Sequence, residues 1–302
     1  MLPLVSVIIP TYNAEQYIAV AVESVLGQSY RQFELIVIDD GCTDRTAEKL
    51  AAYKEARVIR QGNAGPSAAR NHGIRIAKGK YCAFLDSDDI MMPERLKLQV
   101  HKMEEHSEAG LVYTDLMTFD ENGIVHKSKK EFIKPHSGKV LGKLLRENFI
   151  TASTVMVRRD CFKKAGYFDE SMNHSEDYKM WLNIAKYYSI EYVDLPLVKY
   201  RYHEGSLSRN RIVINTSSYN VVKTFWEENN EYKQKHRLVH KLSIANQLKN
   251  LGNAYYSYGD TRGSFRFLAE AIKLNPFSKT AYKLILKAIL RQLQHSLQAC
   301  RS

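Results

Sequence analysis

Tyr81-Cys82-Ala83-Phe84-Leu85 runs straight into Asp86-Ser87-Asp88-Asp89, and the reading of this 302-residue chain turns on that stretch. A short apolar run bounded by polar residues reads as a buried strand. Carboxylates at its carboxyl end lie where ligands bind in open α/β sheets. On extended backbone, residues two apart project to the same side, so Asp86 and Asp88 can face one ion together. Two hard oxygen ligands suit Mg²⁺ or Mn²⁺, with phosphates and water filling the remaining positions. An isolated D-x-D also occurs as an acidic turn capping the next helix, here with Pro93 near its first turn.

The chain on either side of this stretch repeats the same grammar. Upstream, Val5 to Ile9, Leu35 to Ile38 and Arg57 to Ile59 read as strands. Helices are expected over Ala14 to Leu26, Asp44 to Tyr53, Ser67 to Ala77 and Pro93 to His106. Alternation of this kind predicts βαβ units and a mainly parallel sheet covered on both faces. Further strands are expected at Leu111 to Tyr113 and Thr154 to Val157. Beyond them come a helix over Ser175 to Tyr187 and extended pieces at Ile190 to Val193 and Leu197 to Tyr202. Each early strand ends in polar residues: Pro10-Thr11-Tyr12-Asn13, Asp39-Asp40-Gly41, and the run from Asn63 to Asn71. Loops at the carboxyl ends of adjacent parallel strands converge on one cleft. Neither G-x-G-x-x-G nor G-x-x-x-x-G-K-[ST] follows the first strand, which argues against a dinucleotide site and a P-loop.

Composition narrows the class. The hydrophobic fraction of 44% supports a full core. Cys42, Cys82, Cys161 and Cys300 have neither metal nor disulfide spacing, as expected of a reduced cytoplasmic protein. No signal-peptide pattern opens the sequence and no run of about 18 apolar residues occurs. The net charge of +11 is concentrated in residues 211–302, which hold 15 Lys/Arg against 5 Asp/Glu; residues 1–210 hold 29 against 28. The expected organisation is therefore a catalytic domain over 1–210 and an all-α region over 211–302.

In that region Leu251-Gly252, Tyr255, Gly259-Asp260, Ala271 and Asn275-Pro276 have the spacing of one tetratricopeptide-like hairpin. Phe277 to Gln298 reads as a basic amphipathic helix, of the kind that lies on anionic membranes or, alternatively, packs on neighbouring helices or a second copy. Nucleic-acid binding would need basic residues interleaved with aromatics in the working domain, so it is not expected.

Taken in order, Pro10-Thr11-Tyr12-Asn13, Asp39-Asp40-Gly41, Gly65 to Asn71, Asp86 to Asp89 and Glu176-Asp177 resemble a family 2 glycosyltransferase over about residues 4–210. The resemblance implies a GT-A fold, a nucleotide-diphosphate sugar donor (a UDP-sugar by family habit) and inversion at the anomeric carbon. It implies that Asp39 holds the base, and that Pro10, Thr11, Tyr12, Asn63, Arg70, Asp86 and Arg201 line the donor. Ser206 and Ser208 would add phosphate contacts. It further implies that Asp88 and His203 ligate Mn²⁺ or Mg²⁺, and that Asp177 is the general base with Glu176 beside it. The acceptor would be a glycan or lipid-linked sugar of a bacterial surface polysaccharide, met at the inner membrane face. The alternatives are a catalytically inactive GT-A domain serving as a binding or scaffold module, and a nucleotidyltransferase. The latter needs a Gly-rich basic loop where Thr11-Tyr12-Asn13 stand.

Overall fold

A computed structural model describes residues 2–203 and 209–299. Two compact units emerge, one of Met1–Leu141 with Phe149–Ser206, the other of Gly142–Asn148 with Leu207–Ser302.

Among its described residues the first unit is built on nine strands: β1 (Val5–Thr11), β2 (Phe33–Asp39), β3 (Ala56–Arg60), β4 (Tyr81–Phe84), β5 (Ile90–Met91), β6 (Ala109–Asp120), β7 (Gly123–His126), β8 (Val155–Arg158) and β9 (Ser189–Arg201). They form one sheet in the order β3-β2-β1-β4-β8-β6-β9-β5, with β7 pairing β6. The β3-β2-β1-β4 half is parallel, as the alternating pattern predicts. Beyond it the sheet is mixed, because β8 runs antiparallel to both β4 and β6 while β6 and β9 are parallel. Strand order reverses between β1 and β4, which makes their carboxyl ends the switch-point crevice.

The two faces of β1 follow the two-residue period of a strand. Val5, Val7 and Ile9 join a core with Ile18, Ala21, Val22 and Val25 of α1 (Ile18–Leu26) and with Leu96, Val100 and Met103 of α4 (Arg95–Glu105). On the opposite face Ile8 meets α3 (Gly65–Ile76), where a Cβ on Gly73 would lie 2.5 Å from the Ile8 Cγ2. Helices thus cover both faces.

Several bounds differ from expectation. Residues 14–17 form a turn rather than the first turn of α1, held by the Thr46 hydroxyl accepting from the Ala14 N–H at 2.9 Å. The helix expected over Asp44 to Tyr53 is the short α2 (Thr46–Leu50). The two extended pieces after α7 (Glu176–Ala185) are one strand, β9, which carries Pro196 through a register shift opposite Asp115. The strand pair β5–β9 was not anticipated, since two residues carry no readable period.

The second unit takes in residues 142–148, with most of α5 (Leu141–Arg146), and α8 (Arg211–Glu228), α9 (Asn230–Lys235), α10 (Arg237–Ser257), α11 (Thr261–Leu274) and α12 (Lys279–Ala299). Helices α10 and α11 approach closely at Gly252, where a Cβ would sit 2.7 Å from the Leu268 Cγ. Asp260 caps α11 by accepting from the Gly263 N–H at 2.8 Å. The buried Trp226 indole donates to the Ser243 hydroxyl at 2.8 Å. The Asn246 amide donates to the Arg146 carbonyl at 2.6 Å, binding the early segment to α10.

Candidate active site

Thr11 and Asp39 end the neighbouring strands β1 and β2 in register with each other. Both are buried. The Asp39 carboxylate accepts from the Cys42 N–H at 2.8 Å and pairs with Arg60 at 3.3 Å. The Thr11 hydroxyl is buried without a hydrogen-bond partner. Tyr12 and Asn63 are exposed beyond these strand ends, and Pro10 is buried within β1. Asp40, which the sequence reading left without a role, organises the next loop: its two oxygens accept from the Gln61 amide and from the Ala64 and Gly65 N–H groups at 2.8 to 2.9 Å. Asp40 thereby anchors the entry to α3.

At the end of β4 the acidic stretch turns back on itself, the Asp89 N–H donating to the Asp86 carbonyl at 3.1 Å. Ser153 holds the Asp86 N–H with its hydroxyl at 3.0 Å. The Asp88 carboxylate lies 2.9 Å from Nε2 of His203. Burial, then the neighbouring Asp86, pushes the Asp88 carboxyl up from its ordinary range. Asp89 is fully buried and accepts from the Arg201 N–H at 2.9 Å. Burial and its two acidic neighbours raise it strongly. Arg201 lies over the rings of Tyr17 and Phe119, 4.7 and 4.3 Å from their centroids, and gives Nε–H to the Asp88 carbonyl at 2.9 Å. Its firm contact is therefore with the acidic loop.

Two groups that the sequence did not reveal support this loop from below. The fully buried Arg95 donates to the carbonyls of Phe84 at 3.1 Å and Val155 at 2.9 Å, and to Gln99 at 3.0 Å. Gln99 in turn donates to Val112 and Thr154. Burial lowers the Arg95 guanidinium to about 9. Sequence offered no signal here, since an Arg in a helical first turn usually faces water.

Arg70, on α3, reaches across the crevice. Its guanidinium donates to Asp86 at 2.7 Å and to Glu176 at 2.8 Å, nearly excluded from water. Burial opposes its charge, but the two carboxylates outweigh that and raise its affinity for the proton. Arg70 thus joins the acidic loop to the first residue of α7. The preceding Ser175 adopts φ 58°, a left-handed conformation uncommon outside glycine. Beyond it Met180, Trp181 and Ile184 are buried, with Trp181 against Phe84 and Phe168. That packing fixes the helix. Asp177 accepts from the Tyr178 N–H, and its carboxyl is pushed up to about 7 by burial and then by Glu176, with Arg70 opposing.

Asp86, Asp88, His203, Arg201, Arg70, Glu176 and Asp177 are therefore tied into one constellation. Asp39 and Thr11 close the neighbouring strand ends. Ser206 and Ser208 lie outside the described residues, as does Cys300. A carboxylate oxygen and an imidazole nitrogen side by side, with a second carboxylate adjacent, form a donor set that fits a divalent cation. A different group, His106, Glu108 and Glu191, has ligand atoms within 4.8 Å of one another. It stands at the amino ends of β6 and β9, away from this crevice. Cys42, Cys82 and Cys161 are buried, and burial pushes their thiols up to about 11, 12 and 11, so none is a ready nucleophile.

Comparison with known proteins bears on the family and the fold. An uncharacterised glycosyltransferase of Methanocaldococcus jannaschii is 32% identical over 240 residues, 76% of this chain and 82% of its own length. Two Escherichia coli enzymes, WfgD and WfaP, carry the name UDP-Glc:alpha-D-GlcNAc-diphosphoundecaprenol beta-1,3-glucosyltransferase. They are 33% and 32% identical, covering 74% and 86% of this chain and 87% and 99% of their own. Among solved structures, S. aureus TarS 1–349 in complex with UDP-GlcNAc has the same fold, with a TM-score of 0.59 at 17% identity over 89% of this chain and 91% of that one. Residues 6–166 match the family Glycosyl transferase family 2. With that match over more than half of its length, the chain belongs to glycosyl transferase family 2.

Proposed function

We propose that this glycosyltransferase is metal-dependent and inverting, moving a hexosyl or N-acetylhexosaminyl group from a UDP-sugar to a lipid-linked glycan acceptor in surface polysaccharide synthesis. One observation supports the reading: Arg70 bridges Asp86 and Glu176, the near neighbours of the Asp88–His203 pair and of Asp177, whose carboxyl is pushed up to about 7. The names of WfgD and WfaP, which act from UDP-Glc on a diphosphoundecaprenol-linked sugar, support the donor and acceptor classes.

On this reading Asp39 accepts from the base, and Thr11 and Tyr12 line the nucleoside. Asp88 and His203, with Asp86 near, would hold Mn²⁺ or Mg²⁺, which when bound neutralises charge on the departing diphosphate. Asp177 removes the proton from the acceptor hydroxyl as that oxygen forms its bond to the anomeric carbon. The carbon's bond to the diphosphate oxygen breaks, and its electron pair leaves with the nucleotide. A single displacement of this kind inverts the anomeric centre and needs one base. Arg70 holds Glu176 so that the next residue, Asp177, stays turned toward the acceptor side.

The test is thermal stability with UDP, GDP, dTDP and CMP, each with and without Mn²⁺. A ligand at about 100 times its Kd adds roughly 2.7 kcal/mol, a visible shift. We expect a metal-dependent shift with UDP that disappears in Asp88→Ala. The absence of any shift would favour the inactive scaffold.

A further inference from the structure

The last described helix has two apolar faces, and only one is used. Ala281 and Ala288 are fully buried, with Leu284 and Ile285 half-buried between them, so this narrow stripe is the face α12 packs inward. Tyr282, Leu286, Ile289, Leu290 and Leu293 recur at the spacing of a second stripe, rotated away from the first, and all are exposed. Phe277, just before the helix, is 91% exposed. Lys279, Lys283 and Lys287 are exposed along one edge of this second stripe. Residues 271–302 contain six Lys/Arg and no Asp or Glu. An ordinary solvated face would mix charges of both signs and would not present five bulky apolar side chains.

We infer that this face of α12 docks on an anionic lipid bilayer. The apolar stripe would enter the boundary between headgroups and acyl chains while the lysine stems lie along it with their ammonium groups among the phosphates. Charge decides against a second copy as occupant. A two-fold interface sets a patch against itself, bringing six lysines together with no carboxylate from either helix to meet them. Among the described residues no helix is long and apolar enough to cross a membrane, so the contact is interfacial and reversible. This inference is independent of the donor chemistry, since it concerns where the enzyme works rather than what it transfers.

The experiment is flotation of the full chain with phosphatidylcholine vesicles, with and without phosphatidylglycerol, at about 0.1 M and about 1 M salt, where screening shortens from about 10 to about 3 Å. We expect binding to the anionic vesicles at least about tenfold above the neutral ones, weakened by salt. Leu286→Gln with Leu290→Gln should lower binding at least about tenfold, as should Lys279→Gln with Lys283→Gln and Lys287→Gln. Both variants change exposed side chains only, so the melting temperature should stay at that of the parent. Equal binding to neutral and anionic vesicles would overturn the inference, and so would undiminished binding of the leucine variant. A dimer in sedimentation that the leucine variant dissolves, with no vesicle binding, would reassign the stripe to self-association and overturn it as well.

Discussion

On the proposed reading Asp177 takes a proton from an alcohol, which a carboxylate does best when its own proton affinity is raised, as burial beside Glu176 raises it here. The rate of transfer is expected to climb about tenfold per pH unit below about 7 and level off above it, because only the ionised form accepts the proton. Asp177→Asn should cost about 10²- to 10⁴-fold in kcat, with the donor-induced thermal shift retained. Stability moves the other way. Since the folded value lies above the ordinary 3.8, the contribution of Asp177 to stability is complete below that value and is lost as pH rises through about 7. Asp177→Asn should therefore melt higher than the parent at pH 8, a gain that calorimetry reads directly. Arg70 gives the converse case. Arg70→Met leaves Asp86 and Glu176 facing each other without the cation between them, a loss of about 3–5 kcal/mol measurable by urea denaturation. The resemblance put Arg70 among the donor-lining residues and could not show that Glu176 holds it, because the two stand 106 residues apart.

Elements show where patterning suffices and where it fails. β1, β2 and β4 are buried over most of their length and are marked by short apolar runs, so they were legible to within two residues at each end. β6 and β9 run to 12 and 13 residues, longer than the apolar runs that mark them, since the last four residues of β6 and the middle of β9 lie outside the core. Pro196 reads as a break, yet β9 absorbs it at an irregular register where a missing N–H costs little. The Arg95–Gln99 network is invisible to periodicity, which treats both as surface residues. Helix α3 is set by close approach: Gly73→Ala would drive a Cβ against Ile8 and cost about 1–3 kcal/mol, read as a lower urea midpoint with unchanged slope.

At the scale of the whole molecule, residues 142–148 belong with helices that begin more than sixty residues later. Composition and charge indicated a change of character near residue 210, and the helical region after it is present. The early segment carried no such signal, because its allegiance is set by tertiary contacts such as the Asn246–Arg146 bond. A chain ending at residue 210 would leave the buried Leu144 and Leu145 without their unit. We expect a loss of about 1.5–3 kcal/mol for each, seen as a lower urea midpoint and as binding of a hydrophobic dye.

The same arrangement imposes a schedule on synthesis. Helix α10 starts at Arg237, so a ribosome adding roughly 5–20 residues each second needs on the order of 5–20 s to travel from Arg146 to the helix whose Asn246 binds it. For that interval the segment Gly142–Asn148 has none of the later helices of its unit to pack with. Pauses within residues 149–237 should thus matter more for yield than pauses of equal length anywhere downstream.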